Sequence, residues 1–357
     1  MRYFLSILFL LPFIFLLWLA NVADKRRMAT PAKRKTGVLV YACLASLWVV
    51  VLAAAVFLLL MGAAYTRYAD IPLLTQHYAE QGLDPQSTVR AMQSLPRLGA
   101  GLTILALLGM LTLLPSARRL ISRIINISPD SIVHAVALSY TVLILVNFWL
   151  VAGMDLGVVA ETFPTAPSGQ MIVMIWFQNI LMVVMALVGI GWLSRRDLRN
   201  VLHRLEATWP QWRDVGAGVG MGGALFLLYI AINFLFFVNG YRLNPNIQRM
   251  IERFSGPLMT SFPGVLTMGV AAALGEELVY RGALQPRFGV FLTALFFTLM
   301  HVQYGVSSAT LMVFIVGLAL GWMRQRRNTT TAIFTHATYN ITMGLMFLLL
   351  RLVFGGG

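Results

Sequence analysis

The chain has 357 residues, 59% of them hydrophobic and 11% charged, with a mean hydropathy of +0.77. These values exclude a soluble globular domain and point to an integral membrane protein. The net charge of +14 would suit nucleic acid, but basic loops touching anionic lipid account for it, and the single cysteine, Cys43, excludes an intrachain disulfide.

A spanning helix needs ~20 apolar residues. Ten runs qualify, near 3–23, 38–64, 98–114, 132–153, 171–193, 216–239, 260–284, 288–304, 306–323 and 331–350. Strand-period alternation is absent, so the predicted fold is an all-α polytopic transmembrane bundle, not a β-barrel. The first run resembles a signal peptide, with Ala20-Asn21-Val22-Ala23 in the place of a cleavage site. Its length and the Lys25-Arg26-Arg27 that follows favour an uncleaved anchor. The polar segment 65–97 predicts a short external helix or cap. The segment 194–214 alternates charges with Leu198, Val201, Leu202 and Leu205, which predicts an amphipathic helix lying on the membrane. Gly218-Val219-Gly220-Met221-Gly222-Gly223 fits GxGxxG literally, but it opens an apolar helix with no strand before it, so close helix packing is expected there.

Most of the 27 Lys and Arg residues fall in loops 24–37, 115–131, 194–215, 285–287 and 324–330. The positive-inside rule makes these loops cytoplasmic and both termini external. The functional polar residues crowd into 255–350. Residues 1–240 carry helices of no assigned role, and the first six spans and their loops are expected to hold no buried acid.

Among the thirteen acidic residues, Glu276 and Glu277 stand inside an apolar run, Gly264 to Leu284. A carboxylate at that depth costs ~2.5–3.5 kcal/mol on the mildest scale. Neighbours on a helix point ~100° apart. Glu277 and Arg281 form an i, i+4 pair with the acid first, the favourable order, so that pair is assigned a structural role and Glu276 faces the cleft. His301 lies in the eighth run, and His336 and Asn340, again i, i+4, lie in the tenth. Counting helix rise from the nearest turns brings Glu276, His301, His336 and Asn340 to similar depth, near mid-membrane. His77, His134 and His203 sit in loops or at a helix end and receive no role.

Glu-Glu-x-x-x-Arg, then Phe-x-x-x-His from Phe297 to His301, then His-x-x-x-Asn resembles the pattern of the CAAX-protease and bacteriocin-processing (CPBP, or Abi) intramembrane endopeptidases. The resemblance covers about 255–350. It implies peptide-bond hydrolysis without a cofactor: Glu276 and His301 activate water, and His336 and Asn340 stabilise the oxyanion. It implies a peptide or protein substrate in the membrane, lipidated substrates included. The rival chemistry uses Glu276, His301 and His336 as ligands of Zn²⁺ with one position left for water. Two readings without hydrolysis remain. Buried His and Asn also bond helices to one another in a membrane scaffold or immunity protein, and buried acids carry ions in transporters, which predict broken helices in both halves. With no organelle signal evident, a bacterial cytoplasmic membrane is expected, with the site opening to the cytoplasm.

Overall fold

Backbone in hydrocarbon must satisfy its own hydrogen bonds, which an apolar run does by becoming a helix. The computed structural model describes residues 10–29, 35–68, 71–80, 85–154, 156–162, 166–305 and 307–354. Among them the regular structure is helical, with no named strand, and eight stretches are long and apolar enough to cross a membrane. The long elements are α1 (Leu11–Ala29), α2 (Lys35–Tyr68), α3 (Pro85–Leu111), α4 (Ile132–Gly153) and α5 (Ser168–Ile190). After these come a short α6 (Leu198–Arg204), then α7 (Trp212–Val238), α8 (Gln285–Met300), α9 (Ser308–Arg326) and α10 (Thr329–Phe354). Part of the first expected span, 3–9, lies outside the described residues. A short helix at Ile71–Glu80 occupies the polar 65–97 segment. Apolar side chains such as Val50, Phe57, Ile104, Leu227 and Phe234 remain exposed on the outer surface, as a lipid-facing bundle requires.

One of the eight stretches, Phe262–Met300, is two elements. At Gly289 the backbone takes φ 77° and ψ 173°, which a side chain would strain. The chain folds back there. Tyr280 and Phe297 would lie ~25 Å apart on a straight helix, yet their ring centroids are 5.4 Å apart. The returning arm is shorter than expected. A full span over 288–304 was predicted; the helix ends at Met300, His301 has non-helical φ −89° and ψ 52°, and a 3-10 turn follows at Val302–Tyr304. Gly305, at φ 52°, completes the break. The arm after Gly289 rises ~17 Å, about half of a ~30 Å hydrocarbon core.

Close packing fixes the helices that carry the site. A Cβ on Gly218 would come within 2.5 Å of Phe334 Cβ, and one on Gly222 within 2.6 Å of the Thr335 carbonyl, while Gly220 and Gly223 have nothing within 4 Å. The glycine run is therefore a seam at i, i+4 between α7 and α10, as expected of small residues between membrane helices.

Two expectations are corrected. The 194–214 segment does not form one long surface helix. Its helix is limited to α6, started by the Asp197 side chain accepting from Asn200 N at 2.8 Å. Val201 and Leu205 are buried against the C-terminal helices rather than laid on lipid. The chain then straps the start of α10: Thr329 Oγ1 donates to the Leu205 carbonyl at 2.6 Å and Thr330 Oγ1 to the Thr208 carbonyl at 2.7 Å. Trp209 and Trp212 stay exposed, suited to the membrane interface. Secondly, the N-terminal part does hold buried acids. Asp24 is 7% exposed and Asp214 6%. Asp24 accepts from Ser131 Oγ at 2.7 Å and Ile132 N at 2.9 Å, so it caps the start of α4, where a helix favours negative charge. Asp214 accepts from Arg327 at 3.4 Å and Asn328 at 3.2 Å.

The seam yields a test. Gly222→Leu places a branch into the Thr335 backbone, so it should destabilise the detergent-purified protein by ~1–3 kcal/mol and lower its melting temperature. Gly223→Ala, pointing to open space, should leave melting unchanged. Equal melting of the two variants would contradict the seam.

Candidate active site

The acid pair sits on a continuous but irregular helical arm: α at Phe262–Leu266, π at Thr267–Ala271, α at Ala272–Glu277 and π at Leu278–Leu284. Each π turn widens the helix and shifts its phase, a feature common at functional sites. Small residues let neighbours approach this arm. A Cβ on Gly275 would fall 2.4 Å from Asn179 Oδ1 on α5, and one on Gly269 2.4 Å from Ile341 on α10. The arm is thus clamped between α5 and α10 in the stretch leading to Glu276.

Glu277 and Arg281 are wholly buried, with Arg281 Nε 3.2 Å from Glu277 Oε2. The other carboxylate oxygen, Oε1, is 2.9 Å from His336 Nδ1. Sequence spacing indicated the first contact and missed the second. The Arg281 guanidinium carbon lies 4.8 Å from the centre of the Phe297 ring and 6.0 Å from that of Tyr280. A cation over aromatic faces is stabilised when desolvated, which offsets part of its burial cost.

Phe297 joins three segments. Besides Arg281 and Tyr280, its ring touches His301 at 4.6 Å and His336 at 5.8 Å between centroids. His301 Nδ1 is 2.7 Å from the Phe297 carbonyl. A carbonyl only accepts, so Nδ1 carries the proton and Nε2 keeps the lone pair in the neutral ring. In His336 the Glu277 carboxylate fixes the proton on Nδ1 in the same way. Asn340 Nδ2 donates to the Met268 carbonyl, inside the first π turn, at 3.3 Å. That leaves its second N–H and its Oδ1 available.

Glu276 differs from its neighbour. It is partly exposed, and its Oε2 is buried with no hydrogen-bond partner among the described residues. It lies within electrostatic reach of His336, Tyr280 and Tyr304. Tyr304 stacks on His301 with centroids 5.9 Å apart and planes 6° apart. Sequence reasoning missed Tyr304 and Tyr280. Gly305, just past His301, was the available signal that the helix breaks and returns a side chain to the site.

Fixing Nδ1 of each histidine would also orient Nε2 toward a metal. Among the described residues, however, no group of three His, Cys, Asp or Glu side chains is arranged to hold one, and Glu276, His301 and His336 are no exception. What the arrangement offers directly is a free carboxylate, a ring nitrogen with a lone pair, and an amide N–H.

Residues 258–342 match a family model described as type II CAAX prenyl endopeptidase Rce1-like. The match contains Glu276, Glu277, Arg281, Phe297, His301, His336 and Asn340, and leaves residues 1–257 and 343–357 uncovered. No curated protein and no solved structure matches the chain significantly.

The two acids should respond differently to loss of charge. Glu277→Gln leaves Arg281 buried without its counter-charge and should cost ~3–5 kcal/mol. Glu276→Gln removes no bond and should melt like the wild type. Thermal melting in one detergent measures both; matching melting curves for the two variants would refute the division.

Proposed function

With an Rce1-like domain over residues 258–342 as premise, we propose that the chain is an intramembrane endopeptidase cutting a membrane-associated or lipidated peptide by a metal-free glutamate mechanism. The observation that carries this reading is the Oε2 of Glu276, which has neither a hydrogen bond nor an ion pair among the described residues, beside a sister acid with Oε1 bonded to His336 and Oε2 ion-paired with Arg281. A carboxylate oxygen buried without a partner is poorly explained as a structural element and well suited to take a proton.

In the proposed reaction Glu276 accepts a proton from a water molecule that His301 Nε2 orients. The water oxygen bonds to the scissile carbonyl carbon, and negative charge moves onto the carbonyl oxygen. Asn340 N–H stabilises that oxyanion. So does His336 Nε2–H, which is present when the ring is doubly protonated, because Nδ1–H is committed to Glu277. Preorganised donors in a dry site are worth more than the same donors in water. Collapse of the intermediate breaks the C–N bond, and Glu276 returns its proton to the departing amine. Glu277 and Arg281 contact neither water nor substrate in this scheme; they position His336.

The rival reading would need Glu276, His301 and His336 to draw together around Zn²⁺, which would then polarise the water; a non-catalytic scaffold is the second. Glu276→Gln should abolish cleavage in a folded protein. Activity should survive exhaustive chelation, and the purified protein should carry well under one zinc per chain. Stoichiometric zinc, with activity lost on its removal and regained on its return, would refute the metal-free scheme.

We further propose that the site opens to the cytoplasm, on the strength of the basic loops, in a membrane that we take to be a bacterial cytoplasmic one. A reporter fused after Arg327 should be cytoplasmic. One fused near Pro164, outside the described residues, should be external. Finding both on one side would reject this orientation.

A further inference from the structure

A cavity of about 890 Å³ lies between α1, α4, α5 and the Leu278–Leu284 turn, at the upper end of the ~300–1,000 Å³ typical of ligand sites. None of Glu276, His301, His336 or Asn340 lines it. Its wall on the active-site side is Tyr280, whose ring also meets Phe297. The interior is apolar, lined by residues such as Phe13, Leu17, Ile144, Met182 and Met185. Its lining reaches from Ile190 to Gln178 on α5 and from Val133 to Asn147 on α4. That is ~18–21 Å of helix rise, slightly more than one leaflet of a ~30 Å hydrocarbon core.

The mouth has the opposite character. Arg195, Arg196, Arg204, Arg287 and Arg324 line it, with Glu206 as its carboxylate. Glu206 is already taken by Arg324 at 2.8 Å. Arg196 donates to the Ile190 carbonyl and Arg287 to the Asn126 carbonyl; neither acceptor brings a charge. Asp24 is within electrostatic reach of Arg195, but its oxygens are engaged in capping α4. Arg195 Nε is buried with no hydrogen-bond partner among the described residues. Burial, with Arg196 next in importance, pushes the Arg195 guanidinium below its ordinary range, and burial and Arg204 do the same for Arg196. Clustered cations at the end of an apolar, leaflet-deep cavity call for an anion attached to hydrocarbon.

We propose that this cavity binds an anionic phospholipid, with acyl chain inside and phosphate among Arg195, Arg196, Arg204 and Arg287. A free phosphate would leave the apolar interior empty, and a zwitterionic lipid would bring a quaternary ammonium, along with its phosphate, into the guanidinium cluster. Basic pockets between membrane helices recognise lipid headgroups in this way. Held against Tyr280, the lipid would brace the wall behind Phe297 without entering the catalytic site.

The test uses the full chain purified in detergent and does not depend on peptidase activity. Phosphatidylglycerol or phosphatidylcholine is supplied, and bound lipid is counted by native mass spectrometry. The wild type should retain one phosphatidylglycerol through washing that removes phosphatidylcholine, and only phosphatidylglycerol should raise the melting temperature. Millimolar inorganic phosphate should not reproduce that rise. Arg195→Gln with Arg204→Gln should weaken retention by about tenfold or more, whereas Arg199→Gln, exposed and outside the cavity, should not. Equal retention of the two lipids, a full effect of phosphate alone, or unchanged retention by the Arg195/Arg204 variant would overturn the proposal. Displacement of phosphatidylglycerol by a farnesylated peptide would overturn it as well, by assigning the cavity to substrate. If the double variant does not fold, the lipid selectivity and phosphate arms on the wild type decide alone.

Discussion

The Glu277 carboxylate is held between Arg281 at 3.2 Å and His336 at 2.9 Å, with no exposure to solvent. Its ionised form is tolerable only because both oxygens are engaged; alone, it would carry the full cost of a charge in a low-dielectric interior. That requirement links two distant parts of the chain, since Arg281 and Glu277 belong to the 262–284 arm and His336 to α10. It also fixes the His336 tautomer. Phe297 closes the arrangement from α8, touching Arg281, His301 and His336 with one ring. Once these residues are placed, Glu276 has little freedom. A Cβ on Gly275 would run into Asn179, and the adjacent acid is left with an unpaired oxygen.

The irregular backbone serves this arrangement. A regular helix from Phe262 onward would carry a steady 3.6-residue phase; the π turns on both sides of Ala272–Glu277 break it. The first π turn also supplies the Met268 carbonyl that holds Asn340. The half-length arm ending at Met300 has a similar consequence. Because the helix stops there, His301 sits at a terminus with Tyr304 folded back onto its ring. Irregular backbone at membrane depth is tolerated where protein, not lipid, surrounds it.

Much of this was legible in the sequence because charge in an apolar run is so costly. Glu276, Glu277 and Arg281 announced themselves by composition alone, and the helix period predicted that Glu277 and Arg281 share a face. The seam at Gly218 and Gly222 could be read from small residues at i, i+4 in a long apolar helix. What could not be read was set by tertiary contact. The bond from His336 to Glu277 joins residues far apart in sequence. Asp24 looked like a loop acid, because nothing local shows that it caps α4. The 194–214 segment has a genuine amphipathic pattern, but Val201 and Leu205 find a protein surface to bury against, and the long helix is not needed. The end of α8 at Met300 also escaped, although Gly305 signalled it.

The central claim is that Glu277 acts through its bond to His336, while Glu276 is not bonded to either and reaches His336 only through space. A double-mutant cycle measures this coupling directly. Melting free energies of wild type, Glu277→Gln, His336→Gln and the double variant, taken in one detergent, should give an interaction energy of ~1–3 kcal/mol, and the parallel cycle of Glu276→Gln with His336→Gln should give a clearly smaller one. Additive losses in the Glu277–His336 cycle, or equal coupling in both, would contradict the account.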